Sequence, residues 1–377
     1  MQSTEQDSTR LASGLGWPGS SSSRTDPALG WPVVPRETDQ TVSRETPDEE
    51  RRSDANTAPP PRDDADDLDT AFEAADPAVP VVPALLRSAR QAPFPRPAET
   101  RIITVANQKG GVGKTTTTVN MAAAMAQSGL TVLVLDNDPQ GNASTALGVE
   151  HHAGVPSLYE VLIDSLPLAE VVQECADVPN LLCAPATIDL AGAEIELVPL
   201  VARETRLRTA LETYLRERRR RGEADIDYVL VDCPPSLGLL TVNAFAVARE
   251  VLIPIQCEYY ALEGLSQLLK NIELIKVHLN PVLRVSTILL TMYDARTRLA
   301  SQVADEVRAH FPELVLRTTV PRSVRISEAP SHGQTVMTYD PTSTGAMSYR
   351  HAAGELADRT DKKVDDGATD SVGEGQL

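Results

Sequence analysis

The sequence predicts an α/β protein: one open, mostly parallel, twisted sheet with helices on both faces, flanked by disordered N- and C-terminal tails. Three observations carry this reading. Between residues 98 and 358, short runs rich in Val, Ile and Leu alternate with stretches of helical period. The first of those runs empties into a loop with three glycines and two lysines, Lys109-Gly110-Gly111-Val112-Gly113-Lys114. Residues 1–97 have a different composition: 14 of the 28 prolines, both tryptophans, no lysine, and 10 Arg against 17 Asp and Glu. With no sustained period of 2 or 3.6, that stretch buries too little apolar surface to offset the entropy of ordering it. The expected organisation is a disordered, acidic, Pro-rich extension at 1–97, one α/β domain at 98–358 and a disordered acidic tail at 359–377.

Charge and cysteine content narrow the function classes. A net charge of −18 argues against a constitutive nucleic-acid binder, while leaving room for a local basic face. The four cysteines (Cys175, Cys183, Cys233, Cys257) form no C-x-x-C pair and no zinc spacing, so they read as reduced thiols. No signal peptide and no apolar run near 18 residues is evident, and a cytoplasmic location is expected.

In chain order, the extension carries one repeated feature. Leu15-Gly16-Trp17-Pro18 recurs as Leu29-Gly30-Trp31-Pro32. Trp17 and Trp31 read either as a docking motif for a polar or scaffold protein or as chance in a biased composition. Asp63–Asp69 is a solvated acidic run, and 77–97 a Pro-rich linker with a helical turn at Ala84–Arg90. A strand is expected at Ile102–Ala106, then the glycine loop, then a helix over Thr115–Ser128 stopped by Gly129. Thr131–Leu135 reads as a strand buried on both faces. Helical patterns follow at Ser157–Asp164 and Leu168–Cys175, a strand at Leu181–Ala184, and helices at Ile188–Leu197 and Arg203–Arg221. The last ends in an arginine run that reads as a solvated helix end or a nucleic-acid patch. Further strands are expected at Asp227–Val231, Val251–Gln256, Val285–Met292 and Leu316–Val320, with helices at Leu262–Leu279, Arg298–Phe311 and Thr344–Asp358.

The chemistry sits in the loops. A glycine-rich loop between strand and helix turns backbone N–H groups inward and adds the positive end of the helix dipole, which together cradle phosphate. In that setting Lys114 reaches the β- and γ-phosphates and the Thr115 hydroxyl ligates Mg²⁺. The common pattern G-x-x-x-x-G-K-[ST] fails at one letter, since Gln108 stands where its first glycine belongs. The stretch instead resembles the deviant Walker A motif, with Lys109 as its additional lysine. Asp136-Asn137-Asp138-Pro139 follows the second strand, where ligands bind in open parallel sheets, and suggests metal and water handling; the bland alternative is a capped turn. Apolar residues running into Asp232 look like a Walker B motif, with Asp232 holding Mg²⁺ through water.

Six separated stretches then fall in one order: Lys109–Thr116, Asp136–Asn142, Asp232–Leu240, Gln256–Leu265, Thr291–Thr297 and Pro321–Gly333. Together they make the region of about 100–358 resemble the ParA/Soj chromosome-partitioning ATPases, members of the deviant Walker A, MinD/ParA superfamily with a P-loop NTPase fold. The resemblance implies an ATP- and Mg²⁺-dependent switch. ATP bound between two subunits makes a sandwich homodimer, the dimer binds double-stranded DNA without sequence preference, and a ParB-type partner stimulates hydrolysis and release. It implies nucleotide contacts from Lys109 through Thr116, with Lys114 acting in cis, Lys109 in trans and Thr116 near the α-phosphate. Asp138 would align the attacking water, Asp136 is a further metal candidate, and Gly110 would lie with Lys109 where the two loops meet. For DNA the candidates are Arg296, after a strand end, and Arg325, in the loop after a strand, with Arg322 and Arg317 in support. A nucleoid-associated protein is implied. The extension and the arginine run near 216–223 depart from the short members and inherit no role, and the extension lacks a helix-turn-helix pattern.

Competing uses of the same ATPase type need features this sequence does not offer. A MinD-like positioning ATPase would need an amphipathic membrane helix where 358–377 is polar and acidic. A nitrogenase-iron-protein-like reductase would need a second cysteine beside Cys233. A scaffold without catalysis would have no use for the intact Lys114, Thr115, Asp138 and Asp232.

Overall fold

A computed structural model describes residues 93–259 and 261–359. The expected extension, with Trp17 and Trp31, and the tail beyond Arg359 lie outside the described residues. Among those described, eight strands form one sheet: β1 (Arg101–Val105), β2 (Val132–Asp136), β3 (Gln173–Glu174), β4 (Leu181–Ala184), β5 (Tyr228–Asp232), β6 (Glu250–Gln256), β7 (Arg284–Tyr293) and β8 (Val315–Pro321). Their spatial order is β3-β4-β2-β5-β1-β6-β7-β8, parallel throughout except for the β3–β4 pair. The first strand therefore lies near the centre, and chain order reverses around it. That switch point opens a crevice at the carboxyl ends of the strands.

The helices are α1 (Lys114–Gln127), α2 (Asn142–Ala146), α3 (Leu158–Ile163), α4 (Leu190–Glu196), α5 (Arg206–Arg220), α6 (Leu239–Val247), α7 (Ala261–His278), α8 (Arg298–His310), α9 (Val324–Glu328), α10 (Val336–Tyr339) and α11 (Thr344–Asp358). Alternation along the strands divides the core into two layers. Val132 and Val134 of β2, with Tyr228 and Leu230 of β5, pack with α1 and α11. Leu133 and Leu135, with Val229 and Val231, face the opposite layer, which holds residues of α3 through α8. Both faces are dry, which is why these strands read as unbroken apolar runs.

The main elements lie within a few residues of their expected bounds, and Leu181–Ala184 and Thr344–Asp358 coincide with them. One expectation is corrected. Leu168–Cys175 is not a helix: it is a 3₁₀ turn at Leu168–Glu170 followed by β3, antiparallel to β4 at the sheet edge. β-Branched Val171 and Val172 favour the extended chain, and the open edge of β4 pairs with Gln173 and Glu174. Helix α6 has no counterpart among the expected elements. It is apolar nearly all round (LLTVNAFAV) and buried, so it shows no amphipathic period. Residues 93–97, expected as the end of a linker, lie against the domain. The Phe94 ring approaches Gly354 of α11, and Arg96 donates to Asp227 (2.6 Å) and to the Gly129 carbonyl (2.7 Å).

At the amino end of the sheet a buried ion pair ties four elements together. Arg101 donates twice to Glu250 (2.8 and 2.7 Å), once to the Tyr228 hydroxyl (3.2 Å) and once to the Leu356 carbonyl of α11 (2.8 Å). Burial pushes the Glu250 carboxyl up, but the Arg101 hydrogen bonds and charge outweigh it and hold it below its ordinary value. Removing one partner of such a pair strands the other charge. Glu250→Ala should lower unfolding free energy by about 3–5 kcal/mol. The pair's contribution is present above the unfolded carboxyl value, about pH 4.3, and is lost as pH falls through the lower folded value. Urea unfolding of wild type and variant from pH 7 to pH 3 checks both points; equal stability at pH 7 would show that the pair is dispensable.

Candidate nucleotide site

The loop between β1 and α1 is held from two sides. Asn107 donates to the Pro254 carbonyl of β6 (2.8 Å) and accepts from the Lys109 backbone N–H (3.0 Å). The Thr291 hydroxyl at the end of β7 donates to the Val112 carbonyl (2.8 Å). Gly111 and Gly113 take left-handed backbone angles (φ +74° and +86°), which a side chain would strain. Gly113 leads directly into α1, whose first turn carries no acidic residue. The positive helix end is thus left for an anion from outside the chain.

Carboxylates complete the site. Asp136 and Asp232 are register partners at the ends of β2 and β5, and both are fully buried. The Asp232 carboxylate accepts hydrogen bonds from the hydroxyls of Thr115 (2.6 Å) and Thr118 (3.0 Å). Asp136 Oδ2 accepts from the backbone N–H and hydroxyl of Ser144 (2.8 and 2.6 Å), which fixes α2 behind the loop. Burial pushes both carboxyls up, and the Asp136 charge pushes Asp232 further. Burial pulls the Lys114 ammonium down, opposed by the charges of Asp232 and Asp138. Asp138 is nearly buried, accepts from the Gln140 N–H (3.0 Å), and lines the same cleft as Lys114.

That cleft has a volume of about 450 Å³, within the range of ligand pockets. Gly110, Gly111, Gly113, Lys114, Thr115 and Thr116 form its floor, with Asp138, Pro235 and Met292 around it. The residues fit a magnesium nucleotide. Three buried or nearly buried carboxylates outnumber the one buried ammonium, and the donors near Thr115 and Asp232 are hard oxygens. Among the described residues no three His, Cys, Asp or Glu side chains converge to hold a metal by themselves. That is compatible with Mg²⁺, which takes one or two protein oxygens and the phosphates of its ligand.

The structure brings together Lys114, Thr115, Thr116, Asp136, Asp138 and Asp232, but not Lys109. The Lys109 side chain does not line the cleft; its Nζ pairs with Glu258 Oε2 at 2.5 Å. Gly110 faces open space, with nothing within 4 Å of an added Cβ. Of the four arginines, Arg296 and Arg322 follow the adjacent ends of β7 and β8, where both act on Asp294. Arg296 holds Asp294 in a two-point pair (2.9 and 2.9 Å) that keeps its carboxyl down to about 2. Arg325 lies on α9, not in a loop as expected, and pairs with Glu328 (3.1 Å) and Asp340 (3.6 Å). Arg317 stands apart from them, further back along β8 and beside Glu355 of α11.

Several contributors were not anticipated. Thr118 carried a usable signal: it stands one turn after Thr115 in α1, so both hydroxyls share a helix face. Ser144 stands eight residues after Asp136, just past the Asp136–Asn142 run, and was within local reach. Thr291 and Glu258 lie in two of the six family-like stretches, but their partners, Val112 and Lys109, are distant in sequence. The four cysteines are all buried free thiols. At the end of α5, Arg219 pairs with Asp225 and Arg221 with Glu223, so this run is partly neutralised by its own neighbours.

Comparison with known proteins agrees with this geometry. A family model described as an AAA domain matches residues 100–285. The sporulation initiation inhibitor protein Soj of Bacillus subtilis (strain 168) is 51% identical over 257 residues, covering 68% of this chain and 98% of that protein. The chromosome partitioning protein ParA of Myxococcus xanthus (strain DK1622) is 49% identical over 263 residues, covering 70% and 90%. Among solved structures, the cobyrinic acid a,c-diamide synthase of Mycobacterium smegmatis with bound ADP and magnesium superposes with a TM-score of 0.57. It is 36% identical and covers 68% of this chain and 94% of that one. Half-identity over nearly all of Soj, on a fold that sets the glycine loop beside two register-paired aspartates, means that this chain belongs to the ParA/Soj family of chromosome-partitioning ATPases.

Proposed function

We propose that the chain is a Mg²⁺-dependent ATPase whose ATP-bound homodimer binds DNA nonspecifically and is released on hydrolysis, driving segregation of a chromosome or plasmid. The observation that carries this reading is the division of labour between two lysines in one loop. Lys114 is buried in its own chain's cleft, while Lys109 is turned out of it. A second lysine that does not serve its own cleft is suited to serve a partner's, as the family resemblance implies.

In this reading the backbone N–H groups of 110–115 and the Lys114 ammonium offset the β- and γ-phosphate charge, and Thr116 reaches the α-phosphate. Bound Mg²⁺ would supply charge neutralisation at the phosphates, held by Thr115 and, through water, Asp232. Asp136 braces α2 through Ser144 and contributes to the cation's field. Asp138 accepts a hydrogen bond from the attacking water and aligns it with the γ-phosphorus. Lys109 from the partner subunit completes the charge around the phosphates. Gly110 sits at the meeting point of the two loops.

DNA binding follows from pairing. An acidic monomer presents few free cations, and a dimer doubles Arg296, Arg322 and Arg325 on one assembly. Their carboxylate partners are half-buried but still in contact with solvent, so phosphates can compete with them for the arginines. Arg317 is a more distant supporting contact. A ParB-type protein would stimulate turnover, and the Trp17 and Trp31 repeats would engage a polar or scaffold protein. The protein would work in the cytoplasm on the nucleoid. The ATPase domain would span 98–358, between the N-terminal extension and the C-terminal tail. Among the described residues no helix is long and apolar enough to cross a membrane.

Three measurements test this reading. Asp138→Ala should keep ATP binding while single-turnover hydrolysis falls by about 10²–10⁴-fold; undiminished turnover would remove Asp138 from the chemistry. Gly110→Val should leave folding and ATP affinity of the monomer intact, because the position is open within one chain, yet abolish ATP-dependent dimers in sedimentation. A dimer of normal strength would place the subunit interface elsewhere. Binding to random-sequence duplex should appear with ATP and not with ADP or without nucleotide, and weaken with salt. Replacing Arg296 and Arg325 by alanine should lower the slope of log affinity against log salt by about 2 per chain. Equal binding in all nucleotide states would overturn the switch.

A further inference from the structure

Lys109 is held in place by the exit of β6, through two separate contacts. Its backbone is set by Asn107, whose amide is anchored on the Pro254 carbonyl within that strand. Its ammonium is set by Glu258, two residues beyond the strand's end. Glu258 is itself fixed by a tight turn: its N–H donates to the Gln256 carbonyl (2.8 Å), and its carbonyl accepts from the N–H of Ala261 at the start of α7 (2.9 Å). The resulting Lys109–Glu258 pair is short, at 2.5 Å, and directs the ammonium away from the cleft that holds Lys114.

We propose that Glu258 is a positioning residue: a counter-ion within the same chain that holds Lys109 back until a partner subunit offers a more highly charged anion, the nucleotide phosphates. This rests on the reading of Lys109 as the lysine that acts across the dimer. The exposure of the pair decides how strong the hold is. The side chains are 38% and 47% exposed. A half-solvated pair of that kind biases an equilibrium by about two- to five-fold and does not lock it. Phosphate oxygens can therefore displace the Glu258 carboxylate, whereas a partner with an empty cleft presents no anion to do so. Loss of the pair is thus a fixed cost of moving Lys109, and only a filled cleft offers phosphates that offset it.

The test is a four-variant cycle on the full chain: wild type, Glu258→Gln, Lys109→Ala and the double variant. Self-association is measured by sedimentation with a non-hydrolysable ATP analogue at low and at high salt. Glu258→Gln keeps the shape and removes the charge. It should tighten association by about two- to five-fold at low salt, with the gain shrinking as salt screens the pair. The gain should vanish when Lys109 is already alanine. That background also controls for the general loss of one negative charge from an acidic protein. Unchanged or weaker association of Glu258→Gln, or a gain that persists without Lys109, overturns the proposal. If Lys109→Ala alone associates like wild type, the trans role of Lys109 fails, and the counter-ion proposal fails with it. If Lys109→Ala weakens association while Glu258→Gln changes nothing, the trans role stands and only the proposal falls.

Discussion

The Asp232 carboxylate, fully buried and gripped by the hydroxyls of Thr115 and Thr118, is the interaction on which the site depends. A buried carboxylate costs several kcal/mol unless its oxygens are satisfied. Here both oxygens are satisfied by the first two turns of α1, so the cost of burial becomes a constraint on where that helix starts. The helix start in turn sets the glycine loop, because Gly113 is its cap. The loop, the helix dipole and Lys114 are placed relative to Asp232 by the same two hydrogen bonds.

Sheet order supplies the second carboxylate. β2 and β5 are neighbours and parallel, so Asp136 and Asp232 end their strands side by side. Like charges at that separation repel, and burial strengthens the effect, which pushes both carboxyls upward. The arrangement is tolerable because Ser144 and the two threonines satisfy the oxygens and Lys114 is close. Charge is balanced differently at the amino ends of the strands, where the buried Arg101–Glu250 pair joins β1, β6 and α11 and Arg284 also approaches Glu250 (3.9 Å). The amino end pairs its buried charges, whereas the carboxyl end gathers three carboxylates around one buried ammonium.

The extent to which the site was legible depends on contact range. Lys114, Thr115 and Gly113 are consecutive, and their type and spacing already specify a phosphate cradle. Asp138 and Asp232 were readable because each comes after an apolar run that ends where parallel sheets bind ligands. The contacts of Thr291 with Val112 and of Glu258 with Lys109 were not readable, since each pair meets across the fold. Helix α6 was missed because burial on nearly every side erases the periodicity that marks a surface helix. Leu168–Cys175 misled because short apolar runs look alike as helix and strand until an edge is available to pair with.

Legible in the amino-acid sequence alone were the α/β class and the residue types that suggest a phosphate loop at 109–116. These come from composition, local period and adjacent residue types, all of which act over short distances along the chain. Packing of distant strands sets Asp136 beside Asp232, Arg317 apart from Arg296 and Arg322, and Lys109 on Glu258 instead of in its own cleft. Those relations depend on strand order and on which strand ends are neighbours. Strand order is set by how two apolar layers close over one sheet, and no local pattern encodes it.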